Sequence, residues 1–291
     1  MNVYSGITSI GDGSTSVVTG NEVDSRVYVG HAEPTEPEPA DAGDKWHFGI
    51  VTVLAEETRA VLDVLELTDD GATGQRFYTG RLDVPGGTVN LVVTQPSVQG
   101  QRAIAPALTN LRDRYDPAVI ALVGIGGGVH GRVALNDVVV ATRAVYYEGR
   151  RLLPGRTLRR GQELQAPSVI THSVNAFFTA SGEPARLSEA FNVYNGLIGT
   201  GEAVIADAES DIRRYLSYYN EKVMVVETEA GGLAQFCHDA TTRSGAPVGW
   251  VVVRGISDHA DVAKNEQHHD SAAKNAAQTL RYLIPYIRPR L

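Results

Sequence analysis

The chain has 291 residues, one cysteine, 43% hydrophobic residues and a formal charge of −8. That length permits one large domain or two small ones, each with a core. A single cysteine excludes an internal disulfide, and no Cys/His spacing suits zinc. No stretch approaches the roughly 18–20 apolar residues that span a bilayer. The opening MNVYSGITSI lacks the basic and apolar regions of a secretory signal. The expectation is a cytoplasmic protein with no membrane partner, no metal and no organic cofactor.

The charge is unevenly spread. Residues 1–44 carry eight acids and one base, Arg26, whereas the remaining 26 acids and 25 bases nearly cancel. Residues 1–30 are rich in Gly, Ser, Thr and Val, with alternating pieces such as Ser16-Val17-Val18-Thr19 that could pair as short strands if covered. Residues 31–44, HAEPTEPEPADAGD, read as an extended Pro/Glu linker. The expected organisation is a flexible acidic N-terminal segment, 1–44, and one catalytic domain, 45–291.

From Trp46 the texture changes. Phe48–Leu54 reads as a buried strand, followed by a helical pattern over 56–67. Arg76–Leu82 and Thr88–Thr94 read as strands joined by Pro85-Gly86-Gly87, and Ala103–Tyr115 as a helix. Ala118–Val123 is a strand ending in a glycine cluster. Asp137–Ala141 is another strand, and 162–181 contains a helix. Leu197–Gly199, Lys222–Val226 and Val248–Arg254 are further strands, with helices at about 206–218, 229–243 and 270–286. Wholly apolar strands alternating with helices argue an α/β sheet covered on both faces.

Four stretches can carry chemistry. Glu56-Glu57 follows an apolar strand where a helix begins, a position suited either to helix-terminal charge or to a ligand at the carboxyl end of a sheet. Gly124-Ile125-Gly126-Gly127-Gly128 permits positive φ and close backbone approach, but lacks the Lys-Ser/Thr of a phosphate loop. Glu227-Thr228-Glu229 stands at a strand-to-helix junction, where a carboxylate either caps the helix or accepts hydrogen bonds from a sugar diol. Arg254-Gly255-Ile256-Ser257-Asp258 ends a buried strand, and burial raises the proton affinity of such an aspartate toward general-acid use. His259, His268 and His269 have no partner spacing for a metal and read as structural or solvated.

Taken together, FGIVTVLAEE, the glycine cluster, VETEAGGLAQFCH and VVVRGISDHAD resemble the purine nucleoside phosphorylase/uridine phosphorylase superfamily. Within it they are most similar to methylthioadenosine/S-adenosylhomocysteine nucleosidases. The resemblance covers 45–286 and implies a three-layer fold with a central mixed twisted sheet covered by helices. It implies that Glu57 orients and deprotonates water, Asp258 protonates purine N7, and Glu229 holds the ribose hydroxyls. Thr228, Gly126, Gly127 and Ser257 would line the substrate. Val204 would lie against the base, and the Ile205 backbone would read the adenine edge. Ser97 and Gly100 match the family's Ser-x-x-Gly turn. A homo-oligomer is also implied.

Where related phosphorylases hold phosphate with Arg and Ser, this chain has Val119 and Leu122, which favours water as nucleophile over phosphate, although Arg59 and Arg102 lie nearby in sequence. Val204 stands where related nucleosidases place an aromatic, and Thr228 where they place methionine. The segment expected to form a thioether pocket instead carries Arg143, Arg150, Arg151, Arg156, Arg159 and Arg160. Guanidinium forks suit a 5′-phosphate, with Arg150 and Arg151 as candidates, or else form a solvated or inter-subunit surface. In this the chain resembles the superfamily domains of immune-type proteins, some of which cleave ATP. The expected activity is a purine N-ribosyl hydrolase releasing adenine from a nucleoside or from ATP or AMP. The alternatives are a methylthioadenosine-type nucleosidase, a phosphorylase, and a catalytically silent purine sensor. Nucleic acid is not an expected partner.

Overall fold

The computed structural model describes residues 7–11, 14–17, 45–71, 73–262 and 266–288. The chain divides into two units, Met1–Glu38 and Pro39–Leu291. In the first, β1 (Ile7–Gly11) pairs antiparallel with β2 (Ser14–Val17). The expected Pro/Glu linker lies outside the described residues, as does most of the segment expected to be flexible.

The second unit is a mixed sheet with helices packed on it. It opens with β3 (Phe48–Val51), α1 (Ala55–Leu65), β4 (Thr68–Asp69), β5 (Phe77–Val84), β6 (Gly87–Thr94) and α2 (Ile104–Tyr115). There follow β7 (Val119–Gly128), β8 (Val138–Ala141), β9 (Arg143–Tyr146), β10 (Arg150–Leu153), β11 (Arg156–Arg159), β12 (Gln162–Gln165) and α3 (Ser168–Ser181). It closes with β13 (Val193–Asn195), β14 (Leu197–Thr200), α4 (Asp211–Tyr219), β15 (Val223–Glu227), α5 (Ala230–Asp239), β16 (Gly249–Asp258) and α6 (His269–Ile287).

The main strand order is β12-β9-β14-β15-β7-β3-β6-β5-β4, with β16 joining β7 to β8 and β13 edging β8. β7 is the hinge of this arrangement. β16 runs parallel to it from Val119 to Gly127, while β3 flanks its first half and β15 its last residues. α1, α3 and α6 pack together, and α2 packs with α5, so the sheet is the middle of three layers. β3, β7 and β16 are buried throughout except at Ile125, which explains their unbroken apolar reading.

The structure corrects several expected boundaries. The first strand of this unit ends at Val51 rather than Leu54. The Glu57 carboxylate takes the N–H groups of Val53 and Leu54 at 2.7 and 2.9 Å, and so starts α1 instead. The glycine cluster does not end its strand: β7 continues to Gly128, and none of Gly124, Gly126, Gly127 and Gly128 has positive φ. These glycines answer to crowding. A Cβ on Gly126 would lie 2.6 Å from Val225, and one on Gly127 2.9 Å from Ala260. The segment 143–165 forms short strands before α3 begins: β9 buries Ala144 and Val145 within the main sheet, β10 and β11 are largely exposed, and β12 edges the sheet half-buried.

Candidate active site

The carboxyl ends of β3, β7 and β16 meet the end of β15 around a cavity of about 510 Å³. Each contributes what its local sequence dictates. β3 ends under the first turn of α1, which carries Glu57. β7 supplies the flat glycine floor. β15 ends in Glu227 and leads through Thr228 to Glu229 at the start of α5. β16 carries Arg254, Ser257 and Asp258. Of the expected site residues, the structure brings together Glu57, Asp258, Glu229, Thr228, Ile205, Val204, Gly126, Gly127 and Ser257, all of which line the cavity. Arg150 and Arg151 are not among its lining residues. They stand exposed on β10. Val119 and Leu122 are buried in β7, and the exposed Arg59 and Arg102 also lie outside the lining.

Glu57 accepts three backbone N–H groups, from Val53, Leu54 and Ile125, the last at 2.8 Å. Burial is the largest influence on this carboxyl and lifts its pKa above the ordinary value. Arg254 and the three amides pull the other way without cancelling it. One side chain therefore both caps α1 and faces the cavity. Gly124 is the floor beneath it, and any Cβ there would collide with both Glu57 and Arg254.

Arg254 is the residue that sequence reasoning passed over. Its side chain is 1% exposed and meets three carboxylates: Glu227 at 2.5 Å, Glu229 at 3.0 Å and Glu57 at 3.7 Å. Burial opposes its charge, but the three carboxylates outweigh burial and raise its pKa further, so it is a fixed cation. The two acids of the VETE run divide their labour. Glu227 caps α5, accepting the N–H groups of Glu229 and Ala230 at 3.1 and 3.0 Å, and burial raises its pKa. Glu229 accepts the Gly100 N–H at 2.9 Å and the Thr228 hydroxyl, and pairs with Arg254. Gly100 sits at φ +110°, a conformation that favours glycine and aims this N–H. Gln101, also missed, ties the same region together: its Nε2 donates to Thr200 Oγ1 at 2.6 Å and its Oε1 accepts the Gly232 N–H.

Asp258 is 5% exposed. It accepts hydrogen bonds from the Ser257 hydroxyl at 3.0 Å and the Ala260 N–H at 2.8 Å, which fix its orientation. The Ile205 side chain sinks into a small apolar cluster with Tyr147, Leu216 and Val226, while the residue still lines the cavity. Val204 is 63% exposed at its mouth. Against the sequence reading, one histidine reaches the site: His269, first in α6, lines the cavity and pairs with Glu56 at 3.1 Å. His259 is exposed, and His268 contacts Asn136. Among the described residues no group of three or more His, Cys, Asp or Glu could hold a metal ion, and no helix is long and apolar enough to cross a membrane.

Three buried carboxylates, Glu57, Glu229 and Asp258, thus stand around one cavity at the ends of β3, β15 and β16. The chain is 27% identical over 254 residues to the ATP nucleosidase Cap17 of Escherichia coli (strain KTE188), covering 78% of this chain and 49% of that protein. It therefore spans about half the length of that relative. It is 28% identical over 244 residues to the 5′-methylthioadenosine/S-adenosylhomocysteine nucleosidase of Psychromonas ingrahamii, covering 81% of this chain and 97% of that one. Among solved structures, the S-adenosylhomocysteine nucleosidase of Streptococcus pyogenes, in complex with 5-methylthiotubericidin, superposes with a TM-score of 0.65 and 25% identity, over 84% of this chain and 98% of that one. The futalosine hydrolase of Helicobacter pylori shares the fold, with a TM-score of 0.63 and 17% identity over 82% of this chain and 97% of that one. The phosphorylase superfamily matches residues 47–287, and the chain belongs to that superfamily.

Proposed function

We propose that the chain hydrolyses the N-glycosidic bond of an adenine nucleoside or its 5′-phosphorylated form, releasing adenine. The observation that carries this reading is the gathering of Glu57, Glu229 and Asp258 around one cavity of about 510 Å³. In the proposed reaction, water attacks C1′ as the C1′–N9 bond breaks. Glu57 takes the proton from water, and its raised proton affinity makes it a stronger base than an ordinary carboxylate. Asp258 gives a proton to N7, so that adenine leaves neutral. Glu229 accepts from the ribose hydroxyls. The carboxylates around C1′ oppose the positive charge that develops on the sugar. The proton on Glu57 then passes through solvent to restore Asp258.

Water rather than phosphate is the nucleophile in this reading. Glu56, Glu57 and Glu229 make the cavity wall acidic, and the positions that would hold a phosphate dianion, Val119 and Leu122, are apolar and buried. The 5′-phosphorylated substrate draws support from the arginine-rich segment and from the likeness to Cap17. A second reading, a methylthioadenosine-type substrate, draws support from Val53 and Leu54 in the cavity wall. The enzyme would act as a homo-oligomer. Chromatography of adenine released from ATP, AMP, adenosine and methylthioadenosine, with and without inorganic phosphate, tests the proposal. Phosphate-independent release that disappears in Asp258→Asn is expected. Absolute dependence on phosphate would make it a phosphorylase, and no release from any substrate would make it a binding module.

A further inference from the structure

We propose that the β10–β11 hairpin is a polyphosphate-binding arm whose occupancy is transmitted to the segment that holds the base. The hairpin carries charges that have no partner among the described residues. Of the six arginines between 143 and 160, Arg143 pairs with Glu163 at 3.3 Å and Arg159 with Asp211 at 2.8 Å. The side chains of Arg150, Arg151, Arg156 and Arg160 are exposed and make no ion pair or hydrogen bond among the described residues.

The ribbon's register concentrates them. Arg151 opposes Leu158 and Leu153 opposes Arg156, so Arg151 and Arg156 share one face with two leucines. Arg150 opposes Arg159 on the other face. Each strand is four residues long, about 13 Å at the usual rise per residue. Like charges so close on one ribbon repel each other. A compact polyanion removes that repulsion and offers oxygens matched to guanidinium forks. A phosphate chain places several charges within the ribbon's length, whereas an extended acidic peptide would carry most of its carboxylates past it.

The root of the hairpin is fixed to the base-holding segment 201–205. Arg159 donates to the Tyr147 carbonyl at 3.3 Å, and the Tyr147 N–H donates to the Thr200 carbonyl at 3.1 Å. The Tyr147 hydroxyl donates to the Ala203 carbonyl at 3.3 Å, and Glu148 accepts the Glu202 N–H at 3.2 Å. Gly201 lies so close to the Tyr147 ring that a Cβ there would collide with it. On the far side, the Gly161 N–H donates to the Tyr215 hydroxyl of α4 at 2.7 Å. A shift of the hairpin therefore moves Tyr147 and Glu148, and with them the backbone from Gly201 to Ile205. The transmission rests on the reading of that segment as the base-holding one. The anion site does not.

Calorimetry on the full chain separates the two parts without relying on turnover. Inorganic tripolyphosphate is titrated into wild type and into the fourfold variant Arg150→Gln, Arg151→Gln, Arg156→Gln, Arg160→Gln at constant ionic strength, with thermal melts confirming that both are folded. The variant is expected to bind about tenfold or more weakly. Adenine is then titrated with and without saturating tripolyphosphate. Its Kd is expected to shift several-fold in wild type and not in the variant. If ATP but not adenosine displaces tripolyphosphate, the phosphates belong to the substrate; if neither does, they belong to a free effector, and either result keeps the arm. Equal tripolyphosphate affinity in wild type and variant would overturn the site. An adenine Kd unmoved by tripolyphosphate in wild type would overturn the transmission.

Discussion

The molecule carries two arginine centres built on opposite principles. Within β16, one guanidinium, 1% exposed, is held by three carboxylates within 3.7 Å. On β10–β11 and just after it, the four guanidinium groups of Arg150, Arg151, Arg156 and Arg160 stand in solvent with no carboxylate partner among the described residues. The contrast follows from desolvation. A buried charge costs several kcal/mol unless it is paired and hydrogen-bonded, whereas water solvates an exposed one at little cost. The buried centre is consequently preorganised, each carboxylate already spending hydrogen bonds on backbone amides. The exposed centre is left to whatever anion arrives. Rate should depend on the first and selectivity on the second.

The largest effects should come from breaking the buried centre at its chemical ends. In the proposed reaction, Asp258→Asn removes the proton for the leaving base, and Glu57→Gln removes the base that activates water. Each should lower adenine release by about 10²- to 10⁴-fold, the usual worth of a general acid or base. Single-turnover assays against wild type check this. A loss below tenfold in either variant would mean that the residue holds structure and not chemistry.

Arg254→Leu should come next, and it should act on stability as much as on rate. It strands Glu57, Glu227 and Glu229 without their cation. Removing one partner from a buried charge cluster costs about 3–5 kcal/mol, readable as a lower urea midpoint at neutral pH. The corresponding change on the arm, Arg150→Gln, should fall within about 0.5 kcal/mol, as exposed substitutions do. Equal costs at the two positions would erase the distinction between the centres.

The pH profile sharpens the same contrast. Burial raises the Glu57 pKa above its ordinary 4.5. Only the ionised form can take a proton from water, so kcat/KM should fall as pH drops through that raised value. The acid limb should lie above pH 4.5, not at it. A limb at or below the ordinary carboxylate range would show that Arg254 and the amides outweigh burial.

These centres were not equally legible in the sequence. The apolar strands, the order of helices, and Glu57, Glu229 and Asp258 could be read because each acid directly follows a run that has to be buried. Arg254 carried a signal that went unread: an arginine within VVVRGIS, in an apolar strand, has to find carboxylates, and Glu227 in the VETE run was waiting for it. The glycine cluster misled because glycine permits both a turn and a crowded strand, and only the neighbours at Val225 and Ala260 decide between them. The strands β10 and β11 were illegible because their pairing is made by backbone in solvent, with little apolar period to announce it. His269 reached the cavity through the placement of α6, which no local pattern records.

A further small effect is expected where the two centres come nearest in kind, at the paired arginine of the arm. Arg159 is largely buried, but the Asp211 side chain is 66% exposed, so solvent screens the bond between them. The hydrogen bond from Arg159 is the main cause that holds the Asp211 pKa below its ordinary 3.8. A carboxyl whose pKa is lowered on folding contributes stability above its unfolded value and loses it as pH falls through the folded one. Arg159→Gln should therefore cost under about 1 kcal/mol at neutral pH, as exposed pairs do. The difference from wild type should vanish in acid, and an NMR titration should return the Asp211 carboxyl toward its ordinary range. The same substitution removes the donor to the Tyr147 carbonyl, the link between the hairpin and segment 201–205. A loss well beyond 1 kcal/mol, persisting in acid where the NMR titration shows Asp211 protonated, would place the worth of Arg159 in that backbone link and not in its ion pair. The arm would then be anchored by the logic of the buried centre after all.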